Sequence, residues 1–520
     1  MKFRLNQDNT KLILIDSTKA EYNQLKLYLT RKVKNYRFQK RVKLGVWDGS
    51  ISYFGSDGSI NFGLWQEVYQ CCKEYNFPFI IENKDQFPIN KEITKEKLQS
   101  FIDEFYKDHK TKEGNTFIPY DHQVEAIFQI LKYQFGIAEI ATAGGKSLVF
   151  GTLLFYYLKY VNPDAKFLLI VPNISLVTQF YNDLNDYNFG FNSENKNPLD
   201  IRIDEVMSDK PRKYRDEEKK PNIYIGTYQS LEKWPREWFR QFDVVATDEA
   251  HTAKAQTLIS ILTRTFGSAK IRFGMSGTYP SPSSVEILTI ESLLGPKLIN
   301  ISAKSLIDKG LISAVKIKAI LLHHDNRKFA EGVYNIRKRG DGQKAWVLER
   351  EYVANSSKRK TFIKSLVDKF KSNSLILFHT IEYGTELYNY IKDNCQGKDV
   401  FYIDGSTSVE KREYIKGKME NTSGNTKILV ASFGTTSTGV NIKAITNIVF
   451  AQGFKSDQVI RQSIGRGLRL HSEKNKLVVF DLVDVFHSEF KTILFRQYES
   501  RRDDIYKKQK YPYEELKIKL

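Results

Sequence analysis

Short apolar runs alternate with helical patterns from Pro119 onward, and this alternation limits the fold more than any other feature of the sequence. Gly136–Ile140, Phe167–Val171, Ile223–Ile225, Val244–Ala246 and Ile271–Met275 form one series. Runs this apolar fit strands buried on both faces, and strands alternating with helices imply a parallel sheet. The texture restarts after Ser374, with Leu375–Phe378, Val400–Ile403, Ile428–Ala431, Ile448–Ala451 and Leu477–Phe480. Two α/β domains in tandem are therefore expected, joined near residues 297–320. Ahead of them, strand-like runs (Leu12–Ile15, Ile51–Phe54, Phe77–Ile81) mix with helical patterns (Lys19–Leu29, Leu64–Tyr75). These read as a small α/β domain, followed by a charged helix and linker over Asn83–Gly114. The expected division is 1–110, 111–300 and 301–490, with a basic, helical tail over 491–520.

The longest nearly apolar stretch, Leu148–Leu158, has eleven residues. A membrane span needs about 20, so no transmembrane helix is expected. The N-terminus is charged and polar from the start and lacks the apolar core of a signal peptide. Three cysteines (Cys71, Cys72, Cys395) make no disulfide framework, and no C-x-x-C pair points to zinc. A reduced, cytoplasmic setting is expected, the host cytoplasm if the chain is viral. Lys and Arg exceed Asp and Glu by 80 to 61, a net charge of +19. That excess suits a polyanionic partner such as nucleic acid, although a lysine-rich proteome would produce it as well.

Ile140-Ala141-Thr142-Ala143-Gly144-Gly145-Lys146-Ser147 follows an apolar run and precedes a helical one, the context a phosphate-binding loop requires. The two glycines let the backbone approach phosphates, and the N–H groups opening a helix favour anions. Lys146 would reach the β- and γ-phosphates of ATP, and the Ser147 hydroxyl would take a Mg²⁺ position. The usual first glycine of the motif is replaced by Ile140. Downstream, Asp248, Glu249 and His251 follow the apolar run of DVVATDEAH. An acid at the C-terminal end of such a strand can hold Mg²⁺, and its neighbour can orient or deprotonate an attacking water.

With these residues in place, the chain resembles the superfamily 2 helicases. Pro119–Gln123 resembles their adenine-reading motif, with Gln123 at the base edge and Tyr120 or His122 nearby. Val171–Gln179, with Pro172 and Asn173, resembles motif Ia, and Gly226–Leu231, with Thr227, motif Ib. Met275–Pro280 resembles the S-A-T motif, here Ser276-Gly277-Thr278. Leu375–Thr380, with His379 and Thr380, resembles motif IV, and Phe433–Asn441, with Gly439, motif V, preceded by Ser432. Gln462–Arg469 is similar to motif VI. The matches keep the family order from Pro119 to Arg469. The resemblance implies two RecA-like domains, ATP and Mg²⁺ as cofactors, and nucleic-acid contacts through Pro172, Asn173, Thr227, His379, Thr380 and Ser432. It also implies that Gln462, Arg466 and Arg469 act at the ATP of the first domain, so that hydrolysis requires cleft closure. Three residues apart, the two arginines would share one face of a helix. Motif V departs from the family, ending Gly439-Val440-Asn441 instead of G-x-D.

Arg31–Lys43 carries seven basic side chains and no acid. Arg31, Lys34, Arg37, Lys40 and Arg41 are candidate phosphate contacts, and Tyr36, Phe38 or Trp47 could stack on bases or turn into the core. Tyr36-Arg37-Phe38, Gly45-Val46-Trp47-Asp48-Gly49 and Phe62-Gly63-Leu64 resemble the N-terminal domain of UvsW-type helicases. That resemblance implies a monomeric DNA-dependent ATPase unwinding Holliday junctions, stalled forks and R-loops (hence an RNA–DNA hybrid among its partners) in recombination and repair. The rival readings are an RNA helicase, a duplex translocase, or a nucleic-acid scaffold with weak ATPase.

Overall fold

The computed structural model describes residues 1–110, 114, 118–190, 199–206, 220–252, 256–279, 284–437, 442–454, 456–470 and 476–520. Two compact units divide the chain, one of Met1–Ala141 with Gly145–Ile301, the other of Thr142–Gly144 with Ser302–Leu520.

The first unit opens with β1 (Lys2–Leu5), β2 (Lys11–Asp16), β3 (Thr30–Lys32), β4 (Ser50–Ser52), β5 (Ser59–Asn61) and β6 (Ile80–Ile81). Four of them form a sheet in the order β5-β2-β1-β6, while β3 and β4 pair separately as an antiparallel ribbon. The helix Lys19–Tyr28 starts on a capping box: the Thr18 hydroxyl accepts from the Glu21 N–H, and the Glu21 carboxylate accepts from the Thr18 N–H. Phe3, Leu12, Leu25, Phe62 and Val68 form the core of this region. Phe135, Ile287 and Leu288 join the same cluster, so the N-terminal region shares its core with the α/β domain that follows. The expected strand Phe77–Ile81 is reduced to its last two residues, because only Lys2 and Phe3 are available for pairing.

The sheet of that domain comprises β7 (Phe135–Ile140), β8 (Phe167–Val171), β9 (Ile203–Val206), β10 (Ile223–Thr227), β11 (Val244–Thr247), β12 (Ile271–Ser276) and β13 (Lys297–Ile301). All are parallel, in the order β13-β7-β12-β11-β8-β10-β9. β8, β10, β11 and β12 are buried along their whole length, as their apolar composition requires. The helix Lys146–Tyr160 is buried over Leu148–Leu158, which explains the apolar stretch without a membrane. Among the described residues no helix is long and apolar enough to cross one. The helix Lys95–Phe105 docks on it, Phe101 against Tyr156 and Phe105 against Phe155.

The second unit holds β14 (Ala314–His323), β15 (Ser374–Phe378), β16 (Lys398–Ile403), β17 (Thr426–Ser432), β18 (Asn447–Phe450), β19 (Lys476–Val485) and β20 (Tyr513–Lys519). These too are parallel, in the order β16-β17-β15-β18-β19-β14-β20. The fold is thus α/β, two RecA-like parallel sheets with a small N-terminal α/β region. The tail departs from the expected all-helical segment. Helix covers Ile493–Arg501, a further turn reaches Lys507, and β20 then adds to the sheet edge beside β14. Glu514 pairs with Lys316 and Lys318 across that edge, at 2.9 and 3.4 Å. Arg501 anchors the tail, meeting both oxygens of buried Asp481 at 3.0 and 2.9 Å.

Candidate nucleotide and nucleic-acid sites

β7 ends at Ile140, whose side chain is in the core, and the Ala141 N–H donates to the Ile301 carbonyl at 2.9 Å. The chain then turns through Ala143 at φ 69° and Gly145 at φ 81° before the helix begins at Lys146. A non-glycine residue in the left-handed region is strained by about 1–3 kcal/mol, and such residues gather at functional loops. Gly145 cannot be replaced cheaply: a Cβ there would lie 2.0 Å from Gln123 Nε2. Gln123 is buried, and its Oε1 accepts from the Tyr120 N–H at 2.8 Å. Tyr120 is exposed and stacks on His122 at 5.9 Å. Gln123 of the adenine motif and Gly145 of the phosphate loop thus meet in the first unit.

Asp248 and Glu249 follow β11 at the same edge of the sheet. Lys146 Nζ lies 3.1 Å from Asp248 Oδ1 and 3.2 Å from Glu249 Oε1. Burial works against the Lys146 charge, but Asp248 and then Glu249 more than offset it and raise the ammonium above its usual range. Burial raises the Asp248 carboxyl, against the pull of Lys146 and with a further push from Glu249. Two acids facing one ammonium leave room for another cation. Ser147 Oγ and the Asp248 carboxylate are hard oxygen donors of the kind Mg²⁺ takes, so the residues fit a Mg²⁺–nucleotide complex. The Ser147 hydroxyl is meanwhile bonded to the Tyr187 hydroxyl at 2.8 Å.

Glu249 sits at φ 52°, a strained position for a non-glycine residue. His251 Nδ1 is 3.3 Å from Glu249 Oε2 and 2.9 Å from Ser276 Oγ. Ser276 Oγ donates to the Thr278 carbonyl at 2.6 Å, which leaves it an acceptor toward His251. The imidazole Nδ1 therefore carries the proton. Asn173 and Thr227 cap the helices after β8 and β10, accepting from the Leu176 and Ser230 N–H groups at 3.0 and 3.2 Å. Pro172 is half-buried beside Asn173.

In the second unit, the Gln452 side chain accepts from the His379 and Thr380 N–H groups, at 2.8 and 3.1 Å. Arg350 lies 4.4 Å from the Trp346 ring centroid and lines a cleft of about 460 Å³ with Thr380, Tyr383 and Gln452. Ser432 ends β17 and its Oγ accepts from the Thr435 N–H at 3.2 Å. Gly439 lies outside the described residues. Gln462 is buried on the helix Asp457–Arg466. That helix stops at Arg466, so the expectation of two arginines on one helix face is corrected. Gly467 ends the helix, and Arg469 lies in the following turn. Ser313 ties that turn to the start of β14, its N–H donating to Leu468 and its hydroxyl to Arg469, at 2.7 and 3.1 Å.

The ribbon β3–β4 carries the basic segment as a projecting lobe. Lys34, Arg37, Lys40, Arg41 and Lys43 are exposed. Arg31 is half-buried and donates to the Tyr28 carbonyl, which takes it out of the free set. Tyr36 packs on Gly49, where a Cβ would lie 2.3 Å from the ring, and Trp47 Nε1 donates to the Ser50 carbonyl at 2.8 Å. Both aromatics therefore shape the lobe. Phe38 does not: it is 76% exposed, and Leu44 and Val46 in the same segment are 65% and 69% exposed. Spacing in the sequence carried no signal for Tyr187, Gln452 or Ser313, because their partners are distant in the chain.

The DEAD/DEAH box helicase family matches residues 120–286, the helicase conserved C-terminal domain residues 357–471, and the N-terminal domain of DNA helicase UvsW residues 2–82. The ATP-dependent DNA helicase uvsW of Enterobacteria phage T4 is 28% identical over 477 residues, 91% of this chain and 88% of the relative. The crystal structure of T4 UvsW covers 100% of this chain and 99% of its own, at 24% identity and a TM-score of 0.49. An ATP-dependent Type ISP restriction-modification enzyme, LlaBIII, bound to DNA, shares the fold over 85% of this chain and 33% of its own, at 14% identity and a TM-score of 0.54.

Proposed function

We propose that this chain, an ATP-dependent DNA helicase similar to the UvsW type, uses ATP to unwind or migrate branched DNA in recombination and repair. The observation that carries the catalytic part is Lys146 held between Asp248 and Glu249, directly after a left-handed phosphate loop. Tyr120 and Gln123 are assigned to the adenine, and the loop from Ile140 to Gly145 to the phosphates through its backbone. In this reading Lys146 exchanges its carboxylates for the β- and γ-phosphates. Ser147 and Asp248 would hold Mg²⁺, which when bound neutralises charge on the phosphates. Glu249, aimed by His251, orients and deprotonates the attacking water. Arg466 and Arg469 supply positive charge to the transferred phosphoryl group, and Gln462 and Gly439 belong to the same ATP-linked set.

DNA contacts are assigned to Pro172, Asn173, Thr227, His379, Thr380 and Ser432, with Lys34, Arg37, Lys40 and Arg41 gripping the branch. Arg31 contributes by holding the lobe. Exposed cations and exposed apolar side chains on one short segment suit a ligand that offers both phosphates and base faces, as unpaired or terminal bases at a branch do. ATP hydrolysis measured with four-way junctions and with single-stranded RNA tests the substrate class. Stronger stimulation by the junction is expected; equal or stronger stimulation by RNA would favour the RNA helicase reading.

A further inference from the structure

The helix Val285–Leu294 packs against the N-terminal region within the first unit. Gly63 lies so close to this helix that a Cβ would fall 2.0 Å from the Glu291 carbonyl oxygen and 3.0 Å from that of Ser292. The Tyr53 hydroxyl donates to the Val285 carbonyl at 2.9 Å and also meets the Thr289 hydroxyl. Ile287 and Leu288 share a core with Phe3, Leu12 and Phe62. From the same helix, Glu291 Oε1 accepts from the hydroxyl of Tyr279, which packs against the same core.

Tyr279 directly follows the turn Ser276–Thr278, whose serine bonds His251, which in turn meets Glu249. Direct contacts thus run from the N-terminal region to the carboxylate assigned to the attacking water. Close-packed interiors transmit displacement because they compress little, so a shift of this helix would be felt at the turn. The bond is also set in charged surroundings. Burial pushes the Glu291 carboxyl up to about 7, against the Tyr279 hydrogen bond, with Glu67 adding to the rise and Lys297 opposing it. Lys297 Nζ lies 4.8 Å from the Tyr279 ring centroid and pairs with Glu139 at 3.0 Å. A buried polar pair of this kind costs desolvation that an apolar pair would avoid, which argues for a role beyond packing.

We propose that Tyr279 and Glu291 are positioning residues that tie the N-terminal domain to the Ser276–Thr278 turn and thereby set His251 and Glu249 for hydrolysis. The inference rests on the reading of Glu249 given above. Neither residue touches nucleotide in this account; both act through the turn.

The test is steady-state ATP hydrolysis by the full chain at saturating four-way junction, with thermal melts alongside. Tyr279→Phe removes the hydroxyl and keeps the ring. Its kcat should fall about tenfold, since misplacing a catalytic group by a fraction of an ångström costs that much or more, while KM for ATP stays within about twofold. Glu291→Ala should behave alike, and the double variant should be no worse than either single one, because both remove one interaction. Glu291→Gln keeps an acceptor and should restore most of the rate. Wild-type kcat in Tyr279→Phe, with or without a lower melting temperature, would overturn the proposal. So would additive losses in the double variant, an effect on KM alone, or Glu291→Gln as impaired as Glu291→Ala. Failure of the underlying reading looks different: Glu249→Gln would then turn over ATP as fast as wild type, whatever Tyr279 does.

Discussion

Lys146 faces two carboxylates that, in the proposed mechanism, have separate duties. Asp248 is buried behind the lysine, whereas Glu249 is turned out by its left-handed backbone and held by His251. An amide in place of Glu249 keeps the shape but cannot accept a proton from water. Glu249→Gln should therefore bind ATP while its turnover falls by about 10²-fold or more, the usual worth of a general base. Binding and single-turnover measurements on the same preparation check this, and equal turnover would remove Glu249 from the role. The phosphate loop and the acids could be read from the sequence because their chemistry depends on residues close together in the chain. Tyr187 on Ser147 and Glu291 on Tyr279 could not. Those pairs join residues whose proximity only the fold creates, and neither has a spacing that marks it.

At the scale of elements, the buried strands were legible and the polar ones were not. β8 is a continuous apolar run, β15 is one after Ser374, and β7 is broken only by Glu139. β20, Tyr-Glu-Glu-Leu-Lys-Ile-Lys, lies at a sheet edge and carries charges that suit such an exposed position, which disguised it as part of a helical tail. The end of the helix at Arg466 was hidden similarly. Gly467 disfavours helix by about 1 kcal/mol relative to alanine, a cost that the motif match masked. The β3–β4 lobe was legible in its charge but not in its shape: Phe38 points to solvent while Tyr36 and Trp47 build the turn. If this lobe grips phosphates, removing one cation–phosphate pair lowers the slope of log K against log salt by about 0.9. Neutralising Lys34, Arg37, Lys40 and Arg41 together should then flatten the slope on four-way junctions by about three to four units. ATPase activity at saturating single-stranded DNA should stay near wild type. An unchanged slope in a variant with a normal melt would remove the lobe from the DNA interface.

At the scale of the molecule, a net charge of +19 is distributed over a chain whose N-terminal region and first α/β domain share one hydrophobic core. Sequence texture separates these into domains at about residue 110 but carries no sign that Phe135, Ile287 and Leu288 close the N-terminal core. Leu29 and Phe54, which flank the lobe in the chain, both belong to that shared core. The central claim is that hydrolysis at Lys146 drives remodelling of branched DNA. The most direct measurement follows a labelled four-way junction under wild-type protein and Lys146→Ala, each with ATP and Mg²⁺. Wild type should convert the junction to its product duplexes, while Lys146→Ala should bind it with little loss of affinity and leave it intact. Conversion by Lys146→Ala, or wild-type protein that hydrolyses ATP yet leaves the junction unchanged, would contradict the account.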